Sequence, residues 1–205
     1  RDKFAAQQRT AAYKKMLAVR ERLPAAGCRD AIVAAVRNNR VVVIDGATGS
    51  GKSTQVPQYV LDDALRRGEG AQCRIVCTQP RRIAAVGVAE RVAAERGDVV
   101  GRTVGYQIRL ERRASAHTRL LFCTTGVLLR QLQSDPLLRS VSHVVVDEVH
   151  ERSVDSDFLL VVLRRALRAR ADLTVVLMSA TLDAALFTRY FDNAPAVHVP
   201  GRTFP

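Results

Sequence analysis

Short apolar runs alternate with helical patterns along most of this 205-residue chain. The runs predict strands at 41–45, 73–78, 119–123, 143–147 and 173–178. The intervening patterns predict helices at 53–67, 82–96, 126–133, 157–169 and 183–190. Because the predicted strands are apolar on both faces, they favour an α/β fold with a mainly parallel sheet covered by helices on both sides. Ligands of such sheets bind beyond the carboxyl ends of the strands, so the loops after the strands are the candidate functional segments.

The N-terminal segment has a different composition. Its pattern predicts helices at 2–22 and 29–38, and residues 1–40 carry ten basic and three acidic side chains. Most of the chain's net charge of +12 therefore lies in this segment. We interpret residues 1–38 as a basic helical extension and residues 39–205 as one domain. The charge fits either a solvated, arginine-rich lead-in or a polyanionic partner such as nucleic acid.

The cysteines and the hydropathy of the chain bear on its compartment. Cys28, Cys73, Cys77 and Cys123 lack the spacing of a zinc site, so free reduced thiols are expected. No apolar run approaches the roughly 18 residues of a membrane helix. No apolar segment of signal-peptide type follows the basic N-terminus. These features predict an intracellular protein, cytoplasmic or nuclear, with no membrane partner.

A phosphate-binding pattern follows the first predicted strand. "VVVID" leads into "GATGSGKST", which fits G-x-x-x-x-G-K-[ST] between a strand and a helix. Lys52 is the one lysine after Lys15, and it can reach the β- and γ-phosphates of a nucleotide, while the Ser53 hydroxyl can bind Mg²⁺. The residues predicted to bind nucleotide here are Thr48, Gly49, Ser50, Gly51, Lys52, Ser53 and Thr54.

The fourth predicted strand ends in charged residues, within "HVVVDEVH". Asp147 and Glu148 are placed to hold Mg²⁺, and Glu148 could also orient and deprotonate an attacking water. His150 could form a hydrogen bond across a cleft. The predicted catalytic set is therefore Lys52, Asp147, Glu148 and His150.

Five stretches in this order resemble motifs I, Ia, Ib, II and III of superfamily 2 helicases. They are "GATGSGKST", "TQPRR", "CTTG", "DEVH" and "SAT". The chain is most similar to the DEAH-box/RNA helicase A group, including "GYQIRLE" and "VDEVHERSVDSDFLL", which resembles members tied to translation initiation and structured RNA. It departs from the usual pattern at Val149, where alanine is common, and at Ser53, where threonine is common.

The resemblance implies a RecA-like P-loop domain, the first of two that bind ATP and Mg²⁺ between them. It implies that Arg91 stacks on the base of ATP, so that any nucleoside triphosphate would serve. Contacts to the RNA sugar-phosphate backbone are implied for Arg81, Arg82, Arg109 and Thr124. The resemblance also implies that Ser179 and Thr181 link the ATP site to RNA. Further implied partners are the second RecA-like domain, accessory domains, and ribonucleoprotein or ribosomal complexes.

Three functions are consistent with these features. The first is an ATP-dependent RNA helicase. The second is a P-loop ATPase that binds or remodels nucleic acid without unwinding it, or a DNA translocase. The third is a non-catalytic scaffold with decayed motifs, against which the intact Lys52, Asp147 and Glu148 argue. "TQPRR" and "DEVH" favour RNA.

Overall fold

The computed structural model describes residues 2–180 and 184–201, which build one eight-stranded sheet with helices on both faces. The strands lie in the order β4-β3-β5-β2-β6-β7-β1-β8. Every neighbouring pair is parallel except the β3–β4 hairpin. Their bounds are β1 Val41–Gly46, β2 Ile75–Gln79, β3 Val104–Ile108, β4 Glu111–Arg113, β5 Leu120–Thr124, β6 His143–Val146, β7 Thr174–Ser179 and β8 Ala196–Val199. The predicted fold class is confirmed.

The helices are α1 Asp2–Gln8, α2 Ala11–Arg20, α3 Pro24–Gly27, α4 Arg29–Asn38, α5 Lys52–Arg67, α6 Arg82–Glu95, α7 Thr125–Ser134, α8 Val154–Ala169 and α9 Ala184–Tyr190. A short 3-10 helix, Val149–Glu151, follows β6. One apolar cluster joins the sheet to α4, α5 and α6, and a second joins its other face to α7, α8 and α9. Apolar side chains therefore cover both faces of the central strands, as strands without polar alternation require.

All five predicted strands are present, but the structure contains three that the sequence did not predict. These are the two edge strands, β4 and β8, and the strand β3, which lies between β4 and β5. Every residue of β4 is exposed, and β8 has one buried residue. Edge strands carry polar side chains on at least one face, so β4 and β8 lack the continuous apolar run that predicted the central strands. In β3, Gly105 and Gln107 interrupt that run.

The predicted helix 2–22 is wrong in one respect, because it is two helices separated at Arg9 and Thr10. The Thr10 hydroxyl accepts a hydrogen bond from the Tyr13 backbone N–H at 3.3 Å and so caps the start of α2. Pro24 begins α3, because its missing N–H costs nothing in the first turn of a helix. The predicted helix 157–169 begins earlier, at Val154, where Ser153 is the N-cap.

The N-terminal helices cover a cluster of buried charges on α5 and α6. Arg20, from α2, is 3% exposed and donates to Gln55 at 2.8 Å. The Arg20 guanidinium lies 3.6 Å from the Asp62 carboxylate. That carboxylate accepts a hydrogen bond from the fully buried Arg96 at 2.7 Å. The interpretation of this segment as a solvated lead-in is therefore wrong for Arg20. The division of the chain after residue 38 remains a prediction.

We expect Arg20→Ala to lower the free energy of unfolding by about 3–5 kcal/mol, because it removes one partner from a buried ionic cluster. Urea denaturation followed by circular dichroism measures the difference. Arg22→Ala is the matched control, since Arg22 is exposed and lies two residues away. Equal unfolding midpoints for the two variants would show that the cluster does not need Arg20.

Candidate active site and nucleic-acid face

The loop from Gly46 to Lys52 joins the end of β1 to the start of α5, as the phosphate-binding pattern predicts. Gly49 and Gly51 have φ angles of 80° and 95°, in the left-handed region that glycine adopts without strain. A Cβ atom at Gly51 would also lie 3.0 Å from Leu23 Cδ1. The loop conformation therefore requires glycine at both positions, and it turns the chain directly into the first residue of the helix.

Lys52 lies inside this loop with its ammonium group turned toward the backbone. The side chain is 6% exposed, and Nζ donates to the carbonyl oxygens of Gly46 and Ala47, the latter at 2.9 Å. Burial lowers the pKa of this ammonium, while the charges of Asp147 and Glu148 oppose that shift. The positive charge is therefore held between the phosphate loop and the "DEVH" segment.

Asp147 is a buried carboxylate of the "DEVH" motif that contacts side chains from two other motifs. It is 5% exposed and accepts hydrogen bonds from Gln79 Nε2 at 2.6 Å and from the Ser53 hydroxyl. Burial raises the pKa of its carboxyl group, and these hydrogen bonds act against the rise. Sequence reasoning predicted Ser53 and Asp147 but missed Gln79. Gln79 stands inside "TQPRR", although only the strand order reveals that β2 and β6 are neighbours.

Glu148 follows with a backbone conformation that is rare outside glycine, at φ 55° and ψ 39°. Strained residues of this kind are frequent at active sites. Burial and the neighbouring Asp147 raise the pKa of its carboxyl group. A carboxylate with a raised pKa is a better proton acceptor at neutral pH than an ordinary glutamate.

His150 connects the "DEVH" segment to Ala180, the residue that follows β7. Its Nδ1 accepts a hydrogen bond from the Ala180 backbone N–H at 3.1 Å. Nδ1 also lies 3.4 Å from Glu148 Oε2. In the neutral ring, an Nδ1 that accepts from Ala180 carries no proton, so the approach to Glu148 is a close contact rather than a hydrogen bond. Ser179 is buried at the end of β7, and Thr181 lies outside the described residues.

Arg91 projects from α6 and is tied to the helix that follows the phosphate loop. It is half-exposed, and Nε donates to Glu95 Oε1 at 2.8 Å. Glu95 is 1% exposed, and its other oxygen accepts from Gln55 and Gln58 on α5, each at 2.8 Å. This chain of hydrogen bonds fixes the base of the Arg91 side chain, and sequence reasoning did not predict it.

The four residues predicted to contact RNA line one groove of about 1270 Å³ beside this site. They are Arg81, Arg82, Arg109 and Thr124. None of the predicted nucleotide-binding residues lines the groove. Glu151, at the end of the 3-10 helix after "DEVH", lines the groove and lies 3.4 Å from Arg81. The catalytic segment and the groove are thus connected through a short piece of chain.

A model of the DEAD/DEAH box helicase family matches residues 28–187. The chain belongs to that family. It is 56% identical over 192 residues to the DExH-box ATP-dependent RNA helicase DExH3 of Arabidopsis thaliana. It is 53% identical to the ATP-dependent RNA helicase DHX29 and to the ATP-dependent DNA/RNA helicase DHX36, both of Homo sapiens. These matches cover 94%, 100% and 94% of this chain, but only 16%, 15% and 19% of the relatives.

This DEAD/DEAH box domain departs from the usual motifs at Val149 and Ser53, and both side chains fit the structure. Val149 is 1% exposed and packs in the apolar cluster that contains α7, α8 and α9. Its two additional methyl groups therefore fill core space away from the phosphate loop. Ser53 keeps the hydroxyl, which already contacts Asp147.

The described residues contain neither a membrane-spanning helix nor a cluster of metal-ligating side chains. No helix within residues 2–180 and 184–201 has the length and apolar character needed to cross a membrane. Within the same residues, no group of three or more histidine, cysteine, aspartate or glutamate side chains is arranged to hold a metal ion.

Proposed function

We propose that this chain is the first RecA-like motor domain of an ATP-dependent RNA helicase. The observation that carries the proposal is the meeting of Lys52, Ser53 and Asp147 at the carboxyl edge of the sheet, beside an arginine-lined groove. A phosphate site on one side and a cationic channel on the other are the two parts that coupling of hydrolysis to strand movement needs.

The residues present fit a nucleotide bound with Mg²⁺. The hydrogen bond between the Ser53 hydroxyl and Asp147 places two oxygen ligands together, which suits a small divalent cation that is otherwise held by phosphates and water. When bound, Mg²⁺ would neutralise charge that develops on the β- and γ-phosphate oxygens. Gln79 fixes Asp147 for that role, as a hydrogen bond from a neighbouring side chain orients a ligand.

The protein side chains have separate tasks in hydrolysis. Lys52 exchanges its loop carbonyl partners for phosphate oxygens, and Glu148 orients the attacking water and accepts its proton. His150 holds the backbone of Ala180, and we propose that this contact, with Ser179 and Thr181, passes the state of the nucleotide site to the rest of the domain.

RNA would bind through its sugar-phosphate backbone along Arg81, Arg82, Arg109 and Thr124. Contacts of this kind position a strand but do not read its sequence. The second RecA-like domain and accessory domains would complete the path, and ribonucleoprotein or ribosomal complexes are the proposed setting, in the cytoplasm or the nucleus.

DNA is the competing substrate, because one relative is named a DNA/RNA helicase. Steady-state hydrolysis by the intact protein, with single-stranded RNA or DNA of one sequence as stimulator, distinguishes the two. We expect RNA to stimulate more strongly. Stronger stimulation by DNA would favour a DNA translocase. Hydrolysis that neither nucleic acid stimulates would show that hydrolysis is not coupled to nucleic-acid binding.

We expect GTP, CTP and UTP to support hydrolysis nearly as well as ATP. The proposed base contact is stacking on Arg91, and every base offers a π-face to a guanidinium. Strong discrimination between similar ligands requires polar groups that one of them leaves unpaired. Values of kcat/KM for the four nucleotides measure this directly. Rejection of GTP by more than about a hundredfold would show that a base-reading group exists.

A further inference from the structure

We infer that the arginine-lined groove continues the nucleic-acid path down the face of the sheet, where a second set of arginines binds the phosphates of a single strand. We call this part the lower groove, and its arginines are Arg74, Arg112, Arg119 and Arg130. The inference rests on the proposed function, because it extends a strand already held by Arg81, Arg82 and Thr124. It adds a binding segment that none of the helicase motifs in the sequence contains.

The groove runs the full length of two strands. Arg74 and Arg119 directly precede β2 and β5, while Pro80 and Thr124 stand at the carboxyl ends of those strands. Five residues of strand span about 17 Å at roughly 3.3 Å each. At about 3.4 Å per phosphate along one stacked strand, that length matches about five phosphates. The groove volume of about 1270 Å³ also exceeds the roughly 300–1,000 Å³ of a small-molecule pocket.

Helix periodicity and strand register place the arginines on the two walls. Along α7, Val127, Arg130, Gln131 and Ser134 line the groove, and their spacing of three and four residues puts them on one face of the helix. On the other wall, Arg112 pairs with Gln107 across the β3–β4 hairpin, so both side chains point to the groove face. Gln107 is in register with Cys123, one residue before the end of β5, so Arg112 stands at the upper end of the lower groove, next to the upper set. The next residue, Arg113, alternates to the opposite face of the sheet.

The charges of the lower groove are not neutralised within the part of the chain that the structure describes. None of its four arginines has an ion pair or a side-chain hydrogen bond there, whereas Arg81 in the upper part lies 3.4 Å from Glu151. The two carboxylates that line the groove, Glu151 and Asp155, both follow the carboxyl end of β6. Four unpaired guanidinium groups around one concavity form a site of positive potential, which suits a polyanion.

The remaining lining indicates how the strand would be held. Within residues 2–180 and 184–201, no aromatic side chain lines the groove, so the proposed binding there does not rely on stacking of bases on rings. Leu121 and Val76 form part of the floor, and Leu121 is only half-buried although β5 is an inner strand. A single strand whose bases stack on one another could lay sugars on this floor and phosphates against the arginines, without sequence preference.

The test compares three double variants of this chain by fluorescence anisotropy with single-stranded RNA of 5, 10 and 15 nucleotides, from low to moderate salt. The lower-groove variant is Arg74→Ala with Arg130→Ala, which removes two exposed side chains and leaves Arg112, where the two parts of the groove meet, in place. The upper-groove variant is Arg82→Ala with Arg109→Ala. The matched control is Arg66→Ala with Arg165→Ala, which removes the same charge from exposed positions outside the groove.

We expect the lower-groove variant to reduce the slope of log Kd against log salt by about 1.4 for the longest RNA, at roughly 0.7 per single-strand phosphate contact. It should bind the shortest RNA as the control does, because that RNA is held by the upper groove. A slope equal to that of the control at every length, with the upper-groove variant impaired, would overturn the lower groove alone. If neither groove variant differed from the control, the proposed RNA path itself would be wrong. Loss of binding to poly-glutamate but not to RNA would instead assign the groove to an acidic protein partner.

Discussion

Glu148→Gln is expected to lower kcat for nucleotide hydrolysis by about 10²–10⁴-fold while nucleotide affinity stays within a fewfold of wild type. Glutamine keeps the shape and the strained backbone position of Glu148, but it cannot accept a proton. Burial raises the pKa of both carboxyls, but hydrogen bonds from Ser53 and Gln79 occupy Asp147, which leaves Glu148 as the better proton acceptor of the pair. Single-turnover hydrolysis and equilibrium binding in the intact enzyme separate the two quantities.

Two further variants are compared with Glu148→Gln in this experiment. Glu21→Gln removes an exposed carboxylate remote from the motifs and should leave both quantities unchanged. Lys52→Ala should weaken nucleotide binding itself, because it deletes the cation held in the phosphate loop. Unchanged turnover in Glu148→Gln would show that Glu148 is not the proton acceptor, regardless of the result for Lys52→Ala.

The 205-residue chain by itself is expected to bind ADP with Mg²⁺ and yet to hydrolyse ATP at a rate near background. Its described residues supply the phosphate loop, Ser53, Asp147 and Glu148, and the groove offers one part of a path for a nucleic acid. We propose that the second RecA-like domain supplies the arginine residues, called arginine fingers, that stabilise the transition state of hydrolysis. Residues of that type contribute about 10³–10⁵ in rate in related phosphoryl-transfer sites. Addition of the second domain in the same polypeptide should therefore raise hydrolysis by that order and make it respond to RNA.

Binding and turnover have to be measured on the same preparation. Titration calorimetry with ADP and Mg²⁺ establishes that the nucleotide site has formed, and phosphate release then measures hydrolysis. RNA binding by the isolated chain should be weak, since few phosphates are contacted, and it should fall as salt is raised, since those contacts are electrostatic. RNA-stimulated hydrolysis by the isolated chain at the rate of the complete enzyme would contradict the two-domain mechanism.

The central strands and the phosphate loop could be predicted because their information is local. "VVVID" and "HVVVD" carry uninterrupted apolar runs, which predict buried strands. A glycine-rich pattern of this kind between a strand and a helix strongly indicates a phosphate-binding loop. The same holds for Lys52, Ser53 and Asp147, which follow strand ends and therefore had to meet at one edge of a parallel sheet. The edge strands escaped prediction because partial exposure allows them a polar composition.

The partners of these residues were decided by the tertiary structure. Gln79 and Asp147 are 68 residues apart in the chain, and they meet because β2 and β6 are neighbours in the sheet. Arg20 could not be distinguished from Arg22 by sequence, yet the first is buried against α5 and α6 and the second is exposed. The lower groove combines arginines from the segments before β2 and β5, from β4 and from α7. The sequence by itself thus determined where the glycine-rich loop and the acidic residues after the fourth predicted strand lie, since those are contiguous motifs. Which side chains orient them, and where the positive charge gathers, depended on strand order and helix packing, which bring together residues that no local pattern connects.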